Sequence, residues 1–278
     1  APRTRKPFEP TGATVVAIGL MVLTGLLASF GLYLFVGSGL AANRHQDVLY
    51  SQLEETLSQA TVPVAGVIPV GTPLGIVDIP RIGVEQVFVE GSASEQTITG
   101  PGLKPDSVLP GQEGVSLLVG RRATFGAPFR QLDQLEPGDR IVVTTGQGRF
   151  TYVVDLVRTS DAPATEIEQV PARLTLITSD PAVTPSRSLM VTARLQGDAQ
   201  PTSTGQTAAA DDTPGEGSSG RGIALLLWAQ ALLLVTVVVT WAALRFNVRA
   251  IWIGAVPVLL AILWNVYENL AVLLPNTL

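Results

Sequence analysis

The chain has 278 residues, of which 46% are hydrophobic and only 15% charged, with a formal net charge of −5 at pH 7. An ordinary soluble domain carries roughly 25% charged residues, so a membrane protein is the class indicated first. The absence of cysteine and the single histidine, His45, exclude disulfides, iron–sulfur clusters, cysteine nucleophiles and multi-histidine metal sites. We therefore predict no cofactor and no bound metal.

Three long stretches with almost no charge are predicted to cross a membrane, because about 20 apolar residues span its hydrocarbon core. The first follows a short cytoplasmic N-terminus, and the other two are joined by a tight cytoplasmic turn. The predicted segments are a cytoplasmic N-terminus (1–10), transmembrane helix 1 (11–40), transmembrane helix 2 (222–244), the turn (245–249) and transmembrane helix 3 (250–274).

Cations beside these stretches predict the orientation. Arg3, Arg5 and Lys6 precede the first stretch, and Arg245 and Arg249 lie in the turn. Positive residues accumulate on the cytoplasmic side, and three spans place both clusters there. We therefore predict a plasma-membrane protein whose N-terminus is cytoplasmic and whose residues 41–221 are extracytoplasmic.

The predicted outside segment has three parts. Apolar residues at helical spacing predict a stalk helix over 41–61, and low hydrophobicity with many Ser, Thr, Gly and Asp predicts a flexible linker over 198–221. Between them lies a globular domain, 62–197. Residues 41–221 hold 13 basic and 21 acidic side chains, a net charge of −8. Nucleic acid is excluded as a partner, because binding it requires clustered cations.

The globular domain is predicted to be all-β. Short runs rich in Val, Ile, Leu and Thr, separated by Gly and Pro, indicate a barrel or sandwich. Phe150 and Tyr152 alternate onto one strand face, which predicts that both pack in the core. The candidate strands are 75–79, 86–90, 115–120, 140–145, 149–158, 174–178 and 189–195.

Five segments of this domain, in order, resemble actinobacterial sortases, nearest to their class E branch. They are IPRIGVEQVFVEG (79–91), GPGLKPDSVLPGQEGVSLLVGRR (100–122), FGAPFRQLDQLEPGDRIVVTT (125–145), LTLITSDP (174–181) and RSLMVTARL (187–195). The resemblance implies an eight-stranded sortase-like β-barrel outside the membrane, in addition to the three transmembrane α-helices. It also implies a transpeptidase family that uses a cysteine nucleophile, a histidine and an arginine.

Two of those three catalytic positions differ in this chain. Arg121 stands at the histidine position and Ser179 at the cysteine position, whereas the arginine is retained as Arg187. A serine hydroxyl needs an adjacent base, and a guanidinium cannot accept its proton. We therefore expect no catalytic residues and predict a sortase-like pseudoenzyme, that is, a protein that is not an enzyme.

The same region is predicted to bind a peptide or partner protein instead. Structural roles are the alternative, with Ser179 ending a strand and the arginines pairing with acidic neighbours such as Asp180. In a sortase-like barrel a cleft is expected between the strand of Ser179 and the strand of Arg187. The sequence leaves open whether this cleft is open or filled by residues 159–171. The candidate binding residues are Arg121, Arg122, Thr178, Ser179 and Arg187.

The predicted function is a catalytically inactive structural or assembly subunit of a cell-envelope complex. Its predicted partners are other membrane or cell-wall proteins and plasma-membrane lipids. One alternative is a non-catalytic binder that presents sorting peptides to an active sortase. The other is a serine transpeptidase that uses Ser179.

Overall fold

The structure is a computed structural model of the chain. It describes residues 12–64, 66–105, 107–160, 172–183, 186–202, 219–245 and 248–278. The predicted N-terminus at 1–10, most of the linker at 198–221 and most of the possible cover at 159–171 lie outside the described residues, as do two residues of the turn at 245–249.

Eight strands close into one barrel, which confirms the predicted fold class. Around the barrel the strands follow the order β1-β2-β3-β4-β7-β8-β6-β5. The β2–β3 and β4–β7 pairs are parallel, and the other pairs are antiparallel. The strands are Pro73–Ile79 (β1), Val84–Glu90 (β2), Gly102–Leu103 (β3), Val115–Val119 (β4), Arg140–Thr145 (β5), Gly148–Ser160 (β6), Arg173–Asp180 (β7) and Arg187–Gln196 (β8).

The barrel interior is filled by apolar side chains from all around the sheet. Phe88, Phe129 and Tyr152 are fully buried there, and Phe150 packs in the same cluster, which confirms the core prediction for the two aromatic residues of β6. The Tyr152 hydroxyl accepts a hydrogen bond of 2.7 Å from the Gly111 N–H. Burial raises the pKa of Tyr152 to about 12, so its phenol is neutral at physiological pH.

Three helices are long and apolar enough to cross a membrane, as predicted. Their candidate spans lie within Leu20–Ser58, Gly222–Ala242 and Ile253–Ala271. The first consists of two α-helices joined directly by one π-helical turn, and we call these three elements together the first helical run. The helices are Gly12–Leu32 (α1), the π-turn Tyr33–Gly37, Ser38–Ser58 (α2), the short Ser94–Thr97 (α3), Ser219–Arg245 (α4) and Val248–Ala271 (α5).

The predicted stalk region packs against the barrel. On α2, the buried Gln46 donates to the carbonyls of Val87 and Thr99 and accepts from the Val87 N–H. Leu49 and Leu53 pack on Val87 in the same patch. A buried amide whose donor and acceptor groups are both used fixes the helix on β2.

A second apolar cluster joins the first helical run and α5 to one end of the barrel. It combines residues at the end of α5 with residues from the first helical run and from two barrel loops. This packing brings the chain that follows α5 directly to the barrel surface. The cluster consists of Tyr33, Leu34, Ala42, Ile98, Phe125, Tyr267, Ala271 and Val272.

Asp155, at the bulge in β6, joins three strands. It accepts hydrogen bonds from Thr192 (2.6 Å) and Arg194 (2.8 Å) of β8 and from Arg173 (2.5 Å) of β7. Burial acts to raise the pKa of Asp155, but the bonds from Thr192 and Arg194 and the charge of Arg173 outweigh it and lower the pKa. The carboxylate therefore stabilises the fold in its ionised form.

We predict that Asp155→Asn lowers the free energy of unfolding by about 1–3 kcal/mol at pH 7. Because the folded pKa is the lower one, this stability is present above the ordinary pKa of about 4 and is lost as pH falls through the folded value. Thermal unfolding of the full chain in detergent between pH 3 and 7 measures it. Asp198→Asn, at an exposed site, is the control, and an Asp155→Asn protein that keeps the native pH profile would contradict the prediction.

Candidate functional site

The predicted site residues lie where β4 and β7 end side by side. These strands are parallel neighbours, so Gly120 follows β4 beside the end of β7. The Gly120 N–H donates to the Ile177 carbonyl at 3.0 Å, and the Thr178 hydroxyl donates to the Gly120 carbonyl at 2.8 Å. Strand β8 starts opposite, with Arg187 paired to Asp180. The barrel topology therefore brings residues 120–122, 178–180 and 187 to one end.

Ser179 is buried, with 1% of its surface exposed. Its hydroxyl donates to the Thr277 carbonyl at 2.9 Å, and its own carbonyl accepts from the Arg122 guanidinium at 2.9 Å. Ser179, at the position where sortases have a cysteine, thus faces a main-chain carbonyl of a distant part of the chain.

Asp180 lies between two arginines. Its carboxylate accepts from Arg122 at 2.8 Å and from Arg187 at 2.8 Å. Arg122 also approaches Asp133 at 3.4 Å. The pairing of arginines with Asp180 that the sequence suggested is therefore present for both Arg122 and Arg187.

Arg121 is fully buried and has different partners from Arg122. It donates to the Thr124 hydroxyl at 3.1 Å and to the Ser94 hydroxyl at 2.6 Å, and its guanidinium lies 5.0 Å from the centre of the Phe125 ring. Burial lowers the pKa of Arg121 to about 9. The side chain still carries its charge at neutral pH and is held in the interior by Ser94, Thr124 and Phe125.

His45 lies on α2, where it lines a cavity of about 330 Å³ together with Glu95, Gln96 and Glu268. The hydrogen bonds of Ser179 described above are made to Thr277 and Arg122, and His45 takes part in neither of them. Within the described part of the chain, no group of three His, Asp or Glu side chains is arranged to hold a metal ion.

The cleft at this end of the barrel is occupied by residues 274–278, which we call the cleft segment. The Thr277 carbonyl accepts from the Arg122 N–H at 3.1 Å and from the Ser179 hydroxyl at 2.9 Å. The Leu278 carbonyl accepts from the Thr124 N–H at 3.3 Å and from the Thr124 hydroxyl at 2.7 Å. Two carbonyls in succession are thus bound by the loop after β4 and by Ser179.

The cleft segment is also fixed through a side chain. The Asn276 amide donates to the Ser92 carbonyl at 2.6 Å, and Asn276 and Leu278 are both buried. Sequence reasoning missed this segment, because it follows the long apolar helix α5 and lies 98 residues from Ser179. A short stretch of five residues carries no periodicity that could have located it.

Comparison with known proteins identifies the domain. Residues 77–196 match the family model described as the sortase domain. The barrel is a sortase domain. The chain is 34% identical to Sortase D of Bacillus subtilis over 97 residues, covering 35% of this chain and 48% of that protein. It is 28% identical to Sortase SrtE1 of Streptomyces coelicolor over 214 residues, covering 68% of this chain and 59% of that protein.

The chain therefore spans about half the length of these sortase relatives. Two solved sortase structures are also similar. One is a sortase D5 transpeptidase of Clostridium perfringens, with 22% identity, a TM-score of 0.46 and coverage of 56% of this chain and 98% of that chain. The other is sortase E of Streptomyces avermitilis, with 30% identity, a TM-score of 0.42 and coverage of 47% and 91%.

The predicted resemblance of the barrel to sortases is confirmed, but one prediction made from the sequence is wrong. We predicted that the protein is not an enzyme, whereas its domain is that of a family of enzymes, and its relatives are sortases. The prediction gave the residues at two positions, Arg121 and Ser179, more weight than the domain as a whole. The roles assigned to Arg121, Arg122, Thr178, Ser179 and Arg187 in peptide binding stay predictions.

Proposed function

We propose that this sortase-family protein binds an extended peptide of an envelope partner in the cleft and serves in the assembly of cell-envelope proteins. The observation that carries the proposal is the convergence of four hydrogen-bond donors on two successive main-chain oxygens. The N–H groups of Arg122 and Thr124 and the hydroxyls of Thr124 and Ser179 all donate to the main chain of the segment in the cleft.

Main-chain recognition of this kind suits a peptide in extended conformation. Backbone hydrogen bonds supply affinity, and side-chain positions on the peptide supply specificity. The cleft adds selective contacts at two places, since Asn276 is held by the Ser92 carbonyl and the Leu278 side chain is buried. A partner peptide with a carboxamide and an apolar residue at these positions would satisfy the same groups.

The membrane arrangement supports a place in the cell envelope. We propose that the N-terminus is cytoplasmic and that the barrel is extracytoplasmic, in agreement with the positive-inside rule. The contact of the cleft segment with the barrel agrees with this topology, because the two spans α4 and α5 return the chain to the side on which the barrel lies. The three apolar helices also offer lateral surface for membrane partners and lipids.

A binding measurement tests the peptide site. We predict that the full chain without residues 275–278 binds a fluorescent Leu-Pro-Asn-Thr-Leu peptide in detergent. In that background Thr124→Val should weaken binding about 3–10-fold, since it removes one hydrogen bond to the peptide and the acceptor of one Arg121 hydrogen bond. Thr124→Ser keeps both and should not weaken binding. Fluorescence anisotropy gives the affinities. No binding to the shortened chain, or equal affinities for the Val and Ser variants, would contradict the proposed site.

The assembly role has its own test. The full chain, crosslinked in native membranes and purified in mild detergent, should bring down other envelope proteins. Their yield should fall with Arg122→Glu, which reverses a buried charge beside Ser179, and should persist with Arg149→Glu at an exposed site on β6. Recovery of this chain alone would count against assembly.

Acyl transfer by Ser179 is a second candidate function. It is favoured by the contact of 2.9 Å between the Ser179 hydroxyl and the Thr277 carbonyl. In such a reaction the Ser179 oxygen bonds to the carbonyl carbon, the peptide C–N bond breaks, and the serine proton passes to the departing amine. A second amine then forms the new peptide bond and restores the hydroxyl.

Mass spectrometry decides this second candidate. The chain without residues 275–278 is incubated with a Leu-Pro-Asn-Thr-Leu peptide and an amine acceptor, and the products are compared with those of Ser179→Ala in the same shortened chain. Acceptor-linked product that disappears in the variant would establish transfer. Because Arg121, at the position of the sortase histidine, cannot accept the serine proton, we expect slow turnover, and an intact peptide after long incubation would exclude it.

A further inference from the structure

We propose that the cleft segment, residues 274–278, is the resident ligand of the cleft, so that a peptide from another protein binds only when this segment is displaced. The inference rests on the proposed peptide-binding function and names the occupant of the same site. It identifies a ligand that is part of the chain and enters the cleft from the end of α5.

The contacts of the segment are those of a bound ligand. Each of its last three residues makes a hydrogen bond to the barrel: Asn276 to Ser92, Thr277 to Arg122 and Ser179, and Leu278 to Thr124. Asn276 and Leu278 are each 8% exposed, and Ser179 beneath them is 1% exposed. The same groups that would hold an outside peptide are therefore already in use.

The membrane helices hold the segment close to its site. Ala271 and Val272, at the end of α5, are buried against Tyr33 and Phe125. The Phe125 N–H also donates to the Ser38 hydroxyl at 2.9 Å, so the loop that forms one wall of the cleft is attached to the first helical run. A single residue separates Val272 from the start of the cleft segment. A ligand on so short a connection has a high effective concentration.

This arrangement links the cleft to the packing of the membrane helices. Release of the segment requires the hydrogen bonds of residues 276–278 to break. Movement of Val272 away from Phe125 would pull the segment out of the cleft and so favour this release. A partner that separates α5 from the first helical run would therefore open the cleft. The positions of the helices and the access of outside peptides are coupled through the segment.

The absence of cysteine allows a direct test. Ser179→Cys gives the full chain a single thiol beneath the cleft segment, and its rate of reaction with a small maleimide reports exposure. We expect this thiol to react at least about tenfold more slowly than the single thiol of Gln134→Cys, at an exposed position, because the segment must leave first. Adding Leu278→Asp to the Ser179→Cys chain places a charge on a buried apolar position and should raise the labelling rate about tenfold or more.

A matched substitution and a binding measurement complete the test. Leu273→Asp makes the same change at a residue that is 47% exposed and should leave the labelling rate of the Ser179→Cys chain unaltered. Rapid labelling of the chain that carries Ser179→Cys alone, or slow labelling that persists with Leu278→Asp, would overturn the resident-ligand proposal. The fluorescent peptide should bind the Leu278→Asp chain more tightly than the native chain, and equal binding to the two would also overturn it.

The two proposals fail in different ways. If labelling shows that the segment covers Ser179 but the chain without residues 275–278 binds no peptide, the resident segment stands and the peptide-binding function does not. If that shortened chain and the native chain bind the peptide equally well, the peptide-binding function stands and the resident ligand does not.

Discussion

Gly120→Ala is expected to lower the free energy of unfolding by about 3 kcal/mol, because a methyl group at this position meets a side chain that cannot move. The added Cβ would lie 2.4 Å from the ring of Phe129, where ordinary contacts begin beyond 3.4 Å. Phe129 is fully buried in the barrel core. Its N–H donates to the Arg121 carbonyl at 3.1 Å, so displacement of the ring also displaces the loop that forms the cleft.

Differential scanning calorimetry of the full chain in detergent measures this effect. Phe129→Leu in the Gly120→Ala background makes room for the methyl group, so the double variant should be more stable than the sum of the single effects predicts. Gly39→Ala, where an added Cβ meets nothing within 4 Å, is the control for adding a methyl group. Additive effects of the two barrel substitutions would show that the contact with Phe129 is not the cause.

The barrel was predictable because its strands carry strong local patterns. The seven predicted strands lie within a few residues of those observed, since β-branched residues and Gly or Pro boundaries define them. Strand β3 was missed because Gly102–Leu103 is only two residues long. Its pairing with β2 and β4 is decided by the closure of the barrel, which no local pattern in the sequence reports.

The positions of the candidate site were predictable from the resemblance, but its contacts were not. In the structure Arg121, Ser179 and Arg187 lie at one end of the barrel, since the parallel β4–β7 pair and the start of β8 bring them together. The sequence could not separate the adjacent Arg121 and Arg122, one of which is buried behind the loop while the other binds Ser179 and Asp180. That division depends on tertiary partners such as Ser94.

Nor could the sequence locate the occupant of the cleft. The question posed by the sequence was whether residues 159–171 cover the site, and in the structure residues 274–278 lie in it. Contacts between residues so far apart depend on where α5 ends relative to the barrel. That geometry is set by the packing of Tyr267, Ala271 and Val272 against Tyr33 and Phe125.

Arg121→Ala is expected to destabilise the protein by about 3 kcal/mol more than Arg121→Met, because only the alanine leaves a large cavity. Both substitutions remove a buried charge whose desolvation already lowers the pKa of Arg121 to about 9. Both also remove the hydrogen bonds to Ser94 and Thr124. These shared terms cancel between the variants, so the difference measures packing alone. Calorimetry of the full chain gives it, and equal stabilities would show that the site collapses around the alanine.

A second measurement on the same pair separates packing from orientation at the cleft. The Thr124 oxygen accepts from Arg121 and donates its one proton to the Leu278 carbonyl. Because a hydroxyl has a single proton, the arginine fixes the direction in which Thr124 donates. Arg121 is thus a positioning residue for the cleft segment, and its loss should loosen the segment whichever residue replaces it. In the Ser179→Cys background, maleimide labelling should rise about 3–10-fold in both variants, the cost of one hydrogen bond. A rise in Arg121→Ala alone would assign the effect to the cavity, and no rise in either would contradict the positioning role.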